Sequence, residues 1–436
     1  MLAAAAFTAA FAAGLVHHGM PALGDFGDWV YESVLFRDVL LVLPHGAYLI
    51  KHYPVPNSFN TVVMGVLMLA MPWQWAAKAY LCLQLAFQFA AAVIFFHAVR
   101  SVHPGIRPAV WLVVPGAAFV GVNFWYGFMN FQAGIAWAML VCALLLWRAR
   151  PNFPYAILLV AAFFTHMIPC AFACTAVVFA AISDRRPRRL LALLPTAAFT
   201  AWYLVGRFAF AHNADARAPI DTQIVYLSPA FFAFKVNSFL KSFGFVNPST
   251  NLDHSVALQL FGDNLFRALF AVNAILAAIF FWLIVTRCVR SLRTGGLDAF
   301  LWLAVLVFGV IYLVAPGMAL GVSDPGARAL QVSLWIAIFL AADSVWLTRI
   351  AAGCAVCLFA ANVYLFSKLG TLPVLPVAAS SPQRADASAA LQPSHLPGYV
   401  THFAHIPYQD KVQYYQAIER GDFSMEIFPT GLFLKR

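Results

Sequence analysis

The chain has 436 residues, of which 63% are hydrophobic and 10% charged, and its mean hydropathy is +0.80. A soluble domain carries about 25% charged residues, so this composition excludes a chain whose surface faces water throughout. The formal net charge of +10 does not point to nucleic acid, because the basic residues sit in short loops between apolar runs, where the positive-inside rule places them.

Those runs are continuous and about 18–22 residues long, the length of a membrane-spanning helix. A barrel would instead alternate apolar and polar residues over strands of about 10 residues. The expected fold is therefore all-α, a polytopic transmembrane helical bundle. The seven cysteines lie in or at the edge of apolar runs and imply no disulfide framework. Cys354 and Cys357 form a C-x-x-C inside a predicted span and read as small packing residues.

In chain order, residues 1–16 are a short Ala-rich apolar run without a basic leader, read as a first span rather than a signal peptide. A first outer loop covers 17–78. Within it, residues 61–72 are apolar but only about 18 Å long as a helix and end at Pro72, which suggests a half-helix dipping into the outer leaflet. A span from Ala79 to Val99 ends in Arg100 and Arg107, and spans near 109–126 and 128–147 close with Arg148 and Arg150.

The apolar stretch 155–182 is too long for one simple crossing and is interrupted by His166 and Pro169. Arginines flank it on both sides: Arg148 and Arg150 before, Arg185, Arg186, Arg188 and Arg189 after. Two short helices turning at His166–Pro169 keep both flanks on the cytoplasmic side; the alternative is one long kinked helix.

A span at 190–210 leads to an outer loop, 211–265. Inside it, 229–245 reads as an amphipathic surface helix carrying Phe231, Phe232, Phe234, Phe239 and Phe243 with Lys235 and Lys241. Spans follow near 266–286, 297–315, 330–347 and 350–367, with Arg287, Arg290, Arg293 and Arg349 on the inner side. Residues 1–367 thus form a transmembrane domain of about eleven spans, N-terminus in and C-terminus out. A Pro/Ser/Ala-rich flexible linker covers 368–397, and 398–436 form a small extracytoplasmic segment whose aromatics suit folding against the membrane domain.

Of the 17 acidic residues, all but Asp184, Asp298 and Asp343 fall outside on this topology. Acids do not set topology, so their gathering on one face calls for another cause, and chemistry is one. Asp25, Asp28, Glu32 and Asp38 lie in the first outer loop, where a carboxylate can act as a base or hold a metal against a phosphate; a plain solvated loop is the alternative. His45, Lys51 and His52 suit a lipid phosphate, or snorkelling from an interfacial helix. His166 sits in an apolar hairpin, either packed or functional. Asp324 and Arg328 lie four apart at the mouth of a late span. They suit pairing with each other, or a guanidinium grip on a phosphate oxygen by Arg328; Arg207 is a similar, weaker position. Asn123 and Asn130 flank a tight turn joining two helix ends.

The stretch Gly127-Phe-Met-Asn-Phe-Gln-Ala-Gly134, followed by an apolar span ending Leu-Trp147-Arg148, resembles a segment of bacterial membrane proteins related to the GT-C glycosyltransferases. Thr165-His166 between two short helices, Pro316…Gly321…Asp324…Arg328 opening a late span, and His45-Gly-Ala-Tyr before a half-helix are similar to them as well. Together these cover most of residues 40–345. The resemblance implies a GT-C-like enzyme of the bacterial cytoplasmic membrane that uses a polyprenyl-phosphate-linked sugar at its outer face, with membrane lipids as its surroundings. It implies an acid in the first outer loop, here Asp25 or Asp28, that deprotonates or positions the acceptor. Basic groups at the outer face would hold the lipid phosphate, with His45, His166, Asp324 and Arg328 lining that site. Some members use a divalent metal. The family pairs its acid closely with a second acid or a histidine, and Asp25-Phe-Gly-Asp28 leaves open which residue is equivalent.

A transporter or flippase of a lipid-linked or small substrate, and a non-catalytic envelope scaffold, are the other function classes compatible with the sequence. The first asks for ionisable groups along a path through several spans, whereas the acids here gather at one face.

Overall fold

The computed structural model describes residues 1–17, 20, 23, 25–43, 48–115, 119–148, 152–210, 227–242, 254–316, 318–319, 322–323, 325–369, 408–425 and 431–435. In chain order they form α1 (Leu2–His17), α2 (Phe26–Leu40), β1 (Tyr48–Ile50), α3 (Phe59–Leu67), α4 (Trp73–Val102), α5 (Val110–Val114), α6 (Val122–Trp125), α7 (Met129–Leu146), α8 (Asn152–Thr165) and α9 (Met167–Ser183). A 3-10 turn, Pro187–Leu193, runs into α10 (Leu194–Phe210). Then come α11 (Pro229–Lys241), α12 (His254–Thr294), α13 (Ala299–Val314), β2 (Met318–Ala319), β3 (Val322–Ser323), α14 (Pro325–Ala341), α15 (Val345–Leu369), α16 (Tyr408–Arg420) and β4 (Phe433–Lys435).

Among the described residues, five helices are long and apolar enough to cross a membrane: Trp73–Val102, Met129–Leu146, Pro187–Arg207, Asn264–Thr294 and Val345–Tyr364. Shorter apolar helices, among them α1, α8, α9, α13 and α14, pack with them. A bilayer requires every backbone polar group to be satisfied within the protein, which helices do by themselves. The chain is an all-α helical membrane protein. Nearly all of α7 is buried, as expected of a helix apolar all round and held at the centre of a bundle.

The apolar stretch 155–182 is two helices, with His166 as the extended residue between them (φ −167°, ψ 132°). Pro169 explains the break: it offers no N–H to continue the ladder from α8. The Cys170 Sγ lies 3.5 Å from the Leu159 carbonyl oxygen, so the chain doubles back at His166 as the arginine flanks require.

The span expected near 109–126 is interrupted. α5 ends at Val114, the Val120 N–H donates to the Pro115 carbonyl at 3.0 Å, five residues back and not four, and α6 is four residues long. The Phe119 carbonyl then accepts the Gln132 side-chain amide at 3.3 Å. A buried carbonyl without its helical partner has to find another. Within the stretches read as a half-helix (61–72) and a surface helix (229–245) the helices are α3, which ends at Leu67, and α11; Lys235, expected on the polar face of the latter, is buried and its Nζ donates to the Ala315 carbonyl at 3.0 Å. α12 is two helices joined at Gly262, whose φ of +71° is non-helical.

The C-terminal stretch folds against the bundle. α16 packs on α2, and Tyr415 stacks on Trp73 at 5.7 Å. β4 pairs antiparallel with β1, Tyr48 opposite Lys435 and Ile50 opposite Phe433. Residues 368 and 369, placed in the linker by composition, are the last turn of α15; the remainder of that linker lies outside the described residues.

The arginine-rich ends of the helices are tied around Asp298, the residue before α13. Its carboxylate accepts from Ser291 Oγ at 2.6 Å and Trp302 Nε1 at 2.8 Å, and pairs with His103 Nε2 at 2.9 Å. Burial raises its pKa, but the His103 and Ser291 bonds and the Trp302 indole outweigh it and hold the group down at about 2. Arg290 pairs with Asp343 at 3.2 Å, and the Arg107 N–H donates to the Ala342 carbonyl at 2.8 Å. Thus the ends of α4, α12, α13 and α14 meet at one face.

Candidate functional site

At the opposite end of α4, α7 and α14 the segments singled out in the sequence converge on one turn, residues 123–131. Gly127 holds a positive φ of +71° there, and the Phe128 N–H donates to the Asn123 carbonyl at 2.9 Å. Only glycine adopts that conformation at no cost. It also has no room for a side chain: a Cβ would lie 2.5 Å from the Phe26 nitrogen and 2.7 Å from the Asp25 nitrogen. The start of α2 therefore sits directly on this turn, and the Asp25 N–H donates to the Tyr126 carbonyl at 2.8 Å.

Asn130 joins the same turn to α3. Its Oδ1 accepts from the Asn60 N–H at 3.1 Å, and its Nδ2 donates to the Asn57 carbonyl at 2.8 Å. The Tyr80 hydroxyl donates to Asn60 Oδ1, and Gln84 donates to Gln132 at 3.2 Å. Asn130 thus ties α7 to α3, while the Asn123 main chain closes the turn. Gly134, one turn along α7, faces Pro169 and Thr165, with room for no more than a tightly packed Cβ (3.0 Å to Pro169 Cγ). That close approach seats the α8–α9 break against the start of α7.

His166 and Arg328 meet in this seat. The guanidinium NH1 lies 3.1 Å from His166 Nε2. Arg328 also lies over the Phe128 ring, 4.1 Å from its centroid, and 5.9 Å from that of Phe131. Phe131 meets the imidazole edge-on at 5.1 Å. A guanidinium over an aromatic face is held by the ring quadrupole, by about 1–2 kcal/mol when desolvated. His166 is buried, and its Nδ1 accepts the Ile168 N–H at 3.2 Å, capping α9. A neutral imidazole has one accepting nitrogen. The Ile168 N–H at Nδ1 and the Arg328 guanidinium at Nε2 both present donors to the ring, and a neutral imidazole accepts from one of them at a time. A guanidinium has five N–H donors, so Arg328 has the chemistry to meet an anionic oxygen as well.

The acids line one side of α2. Asp25, Asp28 and Glu32 are spaced three and four apart, one face of a helix. Asp28 and Glu32 are both buried. Glu32 Oε2 accepts from Thr61 Oγ1 at 3.1 Å and from the Leu432 N–H at 3.4 Å. Burial pushes the Glu32 carboxyl up to about 7, and the Asp28 charge adds to the rise. The Lys51 charge and the Leu432 and Thr61 bonds pull the other way. Asp38 is paired with its neighbour Arg37 at 2.6 Å.

Of the residues singled out for lipid-phosphate binding, His166 and Arg328 come together, while His45 and Asp324 lie outside the described residues. Asp25 adjoins the turn that carries Phe128, and Asp28 lies farther along the same face of α2. Arg207 is held by the Tyr203 hydroxyl at 2.5 Å. Glu32 was one acid among four in the sequence; its only local signal is the four-residue spacing from Asp28. Among the described residues, no three His, Cys, Asp or Glu side chains gather as metal ligands. Comparison with family models, curated proteins and solved structures finds no match to this chain.

Proposed function

We propose that this protein is a multi-pass enzyme of the bacterial cytoplasmic membrane, GT-C-like in architecture. It crosses about eleven times, with its N-terminus in and C-terminus out. It transfers a sugar from a polyprenyl-phosphate donor to an envelope glycan or lipid at the outer face. The reading is supported most by one observation: the Arg328 guanidinium lies 3.1 Å from the buried His166 imidazole, beside the turn on which α2 and its acids rest.

The chemistry follows from those groups. Arg328 and His166 hold the phosphate of the donor and stabilise the charge that develops on it as the bond to the anomeric carbon breaks. The acceptor hydroxyl oxygen attacks that carbon. The electron pair of the cleaved C–O bond leaves with the lipid phosphate, and the hydroxyl proton passes to a carboxylate of α2, Asp25 or Asp28. The buried polar side chains of α4 and α7 (Gln84, Gln88, Asn130 and Gln132) are neutral amides. They suit packing between helices better than they suit an ion-coupled path, which favours transfer chemistry over transport.

Native mass spectrometry of the purified protein with a polyprenyl phosphate tests the anion role. Arg328→Ala should weaken binding by at least about tenfold, and Arg328→Lys, which keeps charge but not the fork, should recover only part of it. Equal binding by wild type and Arg328→Ala would remove the anion site from the account.

A further inference from the structure

Glu32, on the acid stripe of α2, has a cover supplied from the far end of the chain. Gly431 lies against Glu32 so closely that any side chain at 431 would collide with the carboxyl group. Lys51, itself buried, donates from Nζ to the Gly431 carbonyl at 2.7 Å, and its N–H donates to the Leu432 carbonyl at 3.0 Å. The Leu432 N–H reaches Glu32 Oε2. Among the described residues the stretch is also held by the three-residue β1–β4 pairing, by two tyrosine hydroxyls (Tyr31 donates to the Asp422 carbonyl and Tyr48 to that of Met425) and by Phe433, buried in one cluster with Tyr31, Leu35, Tyr48 and Ala417. Of these contacts, the seat on Glu32 is the one that involves a carboxyl group whose charge pH changes.

We propose that the C-terminal stretch around β4 is a releasable cover on the α2 acids, docked over neutral Glu32 and freed as the carboxylate forms. The charged groups facing Glu32 among the described residues are Asp28 on its own helix and Lys51 after β1. α3 presents the Thr61 hydroxyl, and the cover itself presents the backbone of Gly431 and Leu432. Docking removes the carboxyl from water, and the neighbouring Asp28 charge opposes a second negative charge; Lys51 offsets part of this. The sign follows. A carboxyl whose pKa is raised by docking, here to about 7, binds its proton more tightly in the docked form. Docking is then strongest in acid and weakens as pH rises through that value. Release lets water reach Glu32 and opens the adjoining acid stripe. The cover stands whatever reaction the protein performs; only the consequence that release admits an acceptor to Asp25 and Asp28 rests on the function proposed above.

Hydrogen exchange of the full-length protein in nanodiscs tests this, read at the 431–435 amides and corrected for the intrinsic rate. Protection should fall by at least about tenfold between pH 6 and pH 8.5, while the α7 amides hold theirs. Glu32→Gln should keep the cover docked at both values. Gly431→Ala should lose its protection at both while α7 remains protected. Equal protection of wild type at the two pH values, an unchanged drop in Glu32→Gln, or a docked cover in Gly431→Ala would each overturn the proposal. None of these readings depends on sugar transfer, so the cover and the transferase function can fail separately.

Discussion

His166 performs two tasks with one ring. Nδ1 faces the Ile168 N–H at the start of α9, and Nε2 stands beside Arg328. Removing the cap and removing the anion contact are therefore separable. His166→Asn keeps a capping acceptor but loses the second ring nitrogen, so it should fold and bind polyprenyl phosphate poorly. A variant that binds as wild type does would assign His166 to capping alone. Gly127 is the other residue on which the site depends. Gly127→Ala places a Cβ against the Asp25 and Phe26 nitrogens at a positive φ, and should cost at least about 2 kcal/mol, read as a lower thermal unfolding midpoint in detergent. An unchanged midpoint would mean that α2 does not rest on this turn.

At the scale of elements, the hairpin of α8 and α9 was legible because two physical constraints agreed: an apolar run too long for one crossing, and arginines on both flanks. The break before α6 was less legible. Pro115 lies near it, but an apolar run with one proline also describes a kinked continuous span, and the Gln132 amide that donates to the Phe119 carbonyl comes from another helix. The meeting of His166 with Arg328 could be guessed only from resemblance, since 162 residues separate them. The burial of Glu32 was beyond a local reading altogether: its covering residue, Leu432, is 400 residues away in the chain.

The Asp298 clasp belongs to this scale too, since it joins α12, α13 and the end of α4 at the arginine-rich face. Its depressed pKa means that it stabilises the fold above the ordinary carboxylate range, and that this contribution is lost as pH falls toward about 2. Asp298→Asn should cost about 2 kcal/mol near neutral pH. Thermal unfolding should show the gap from wild type narrowing below pH 4; a gap that persists in acid would show that packing, not charge, holds the clasp.

For the whole molecule, the two faces divide the work. Arginines and the Asp298 clasp gather at one, and the α2 acids, the Arg328–His166 pair and the C-terminal cover at the other. On the topology proposed above, the first face is cytoplasmic and the second lies outside, where a lipid-linked sugar would be used. The helical bundle itself could be derived from composition and run length; what gathers at each face could not, because long-range contacts set it.

The proposed function requires the face that carries Arg328 to move a sugar off a lipid phosphate. The most direct test is mass spectrometry of lipid-linked intermediates and envelope glycans in a deletion strain of the source organism, complemented with wild type, Arg328→Ala, Asp25→Asn or Asp28→Asn. The account predicts that the deletion accumulates a polyprenyl-phosphate sugar and lacks that sugar in one glycan or lipid. Wild type should restore it, while Arg328→Ala and one of the two Asn variants fail to do so although present in the membrane. A deletion that leaves every lipid-linked sugar and every glycan unchanged would contradict it.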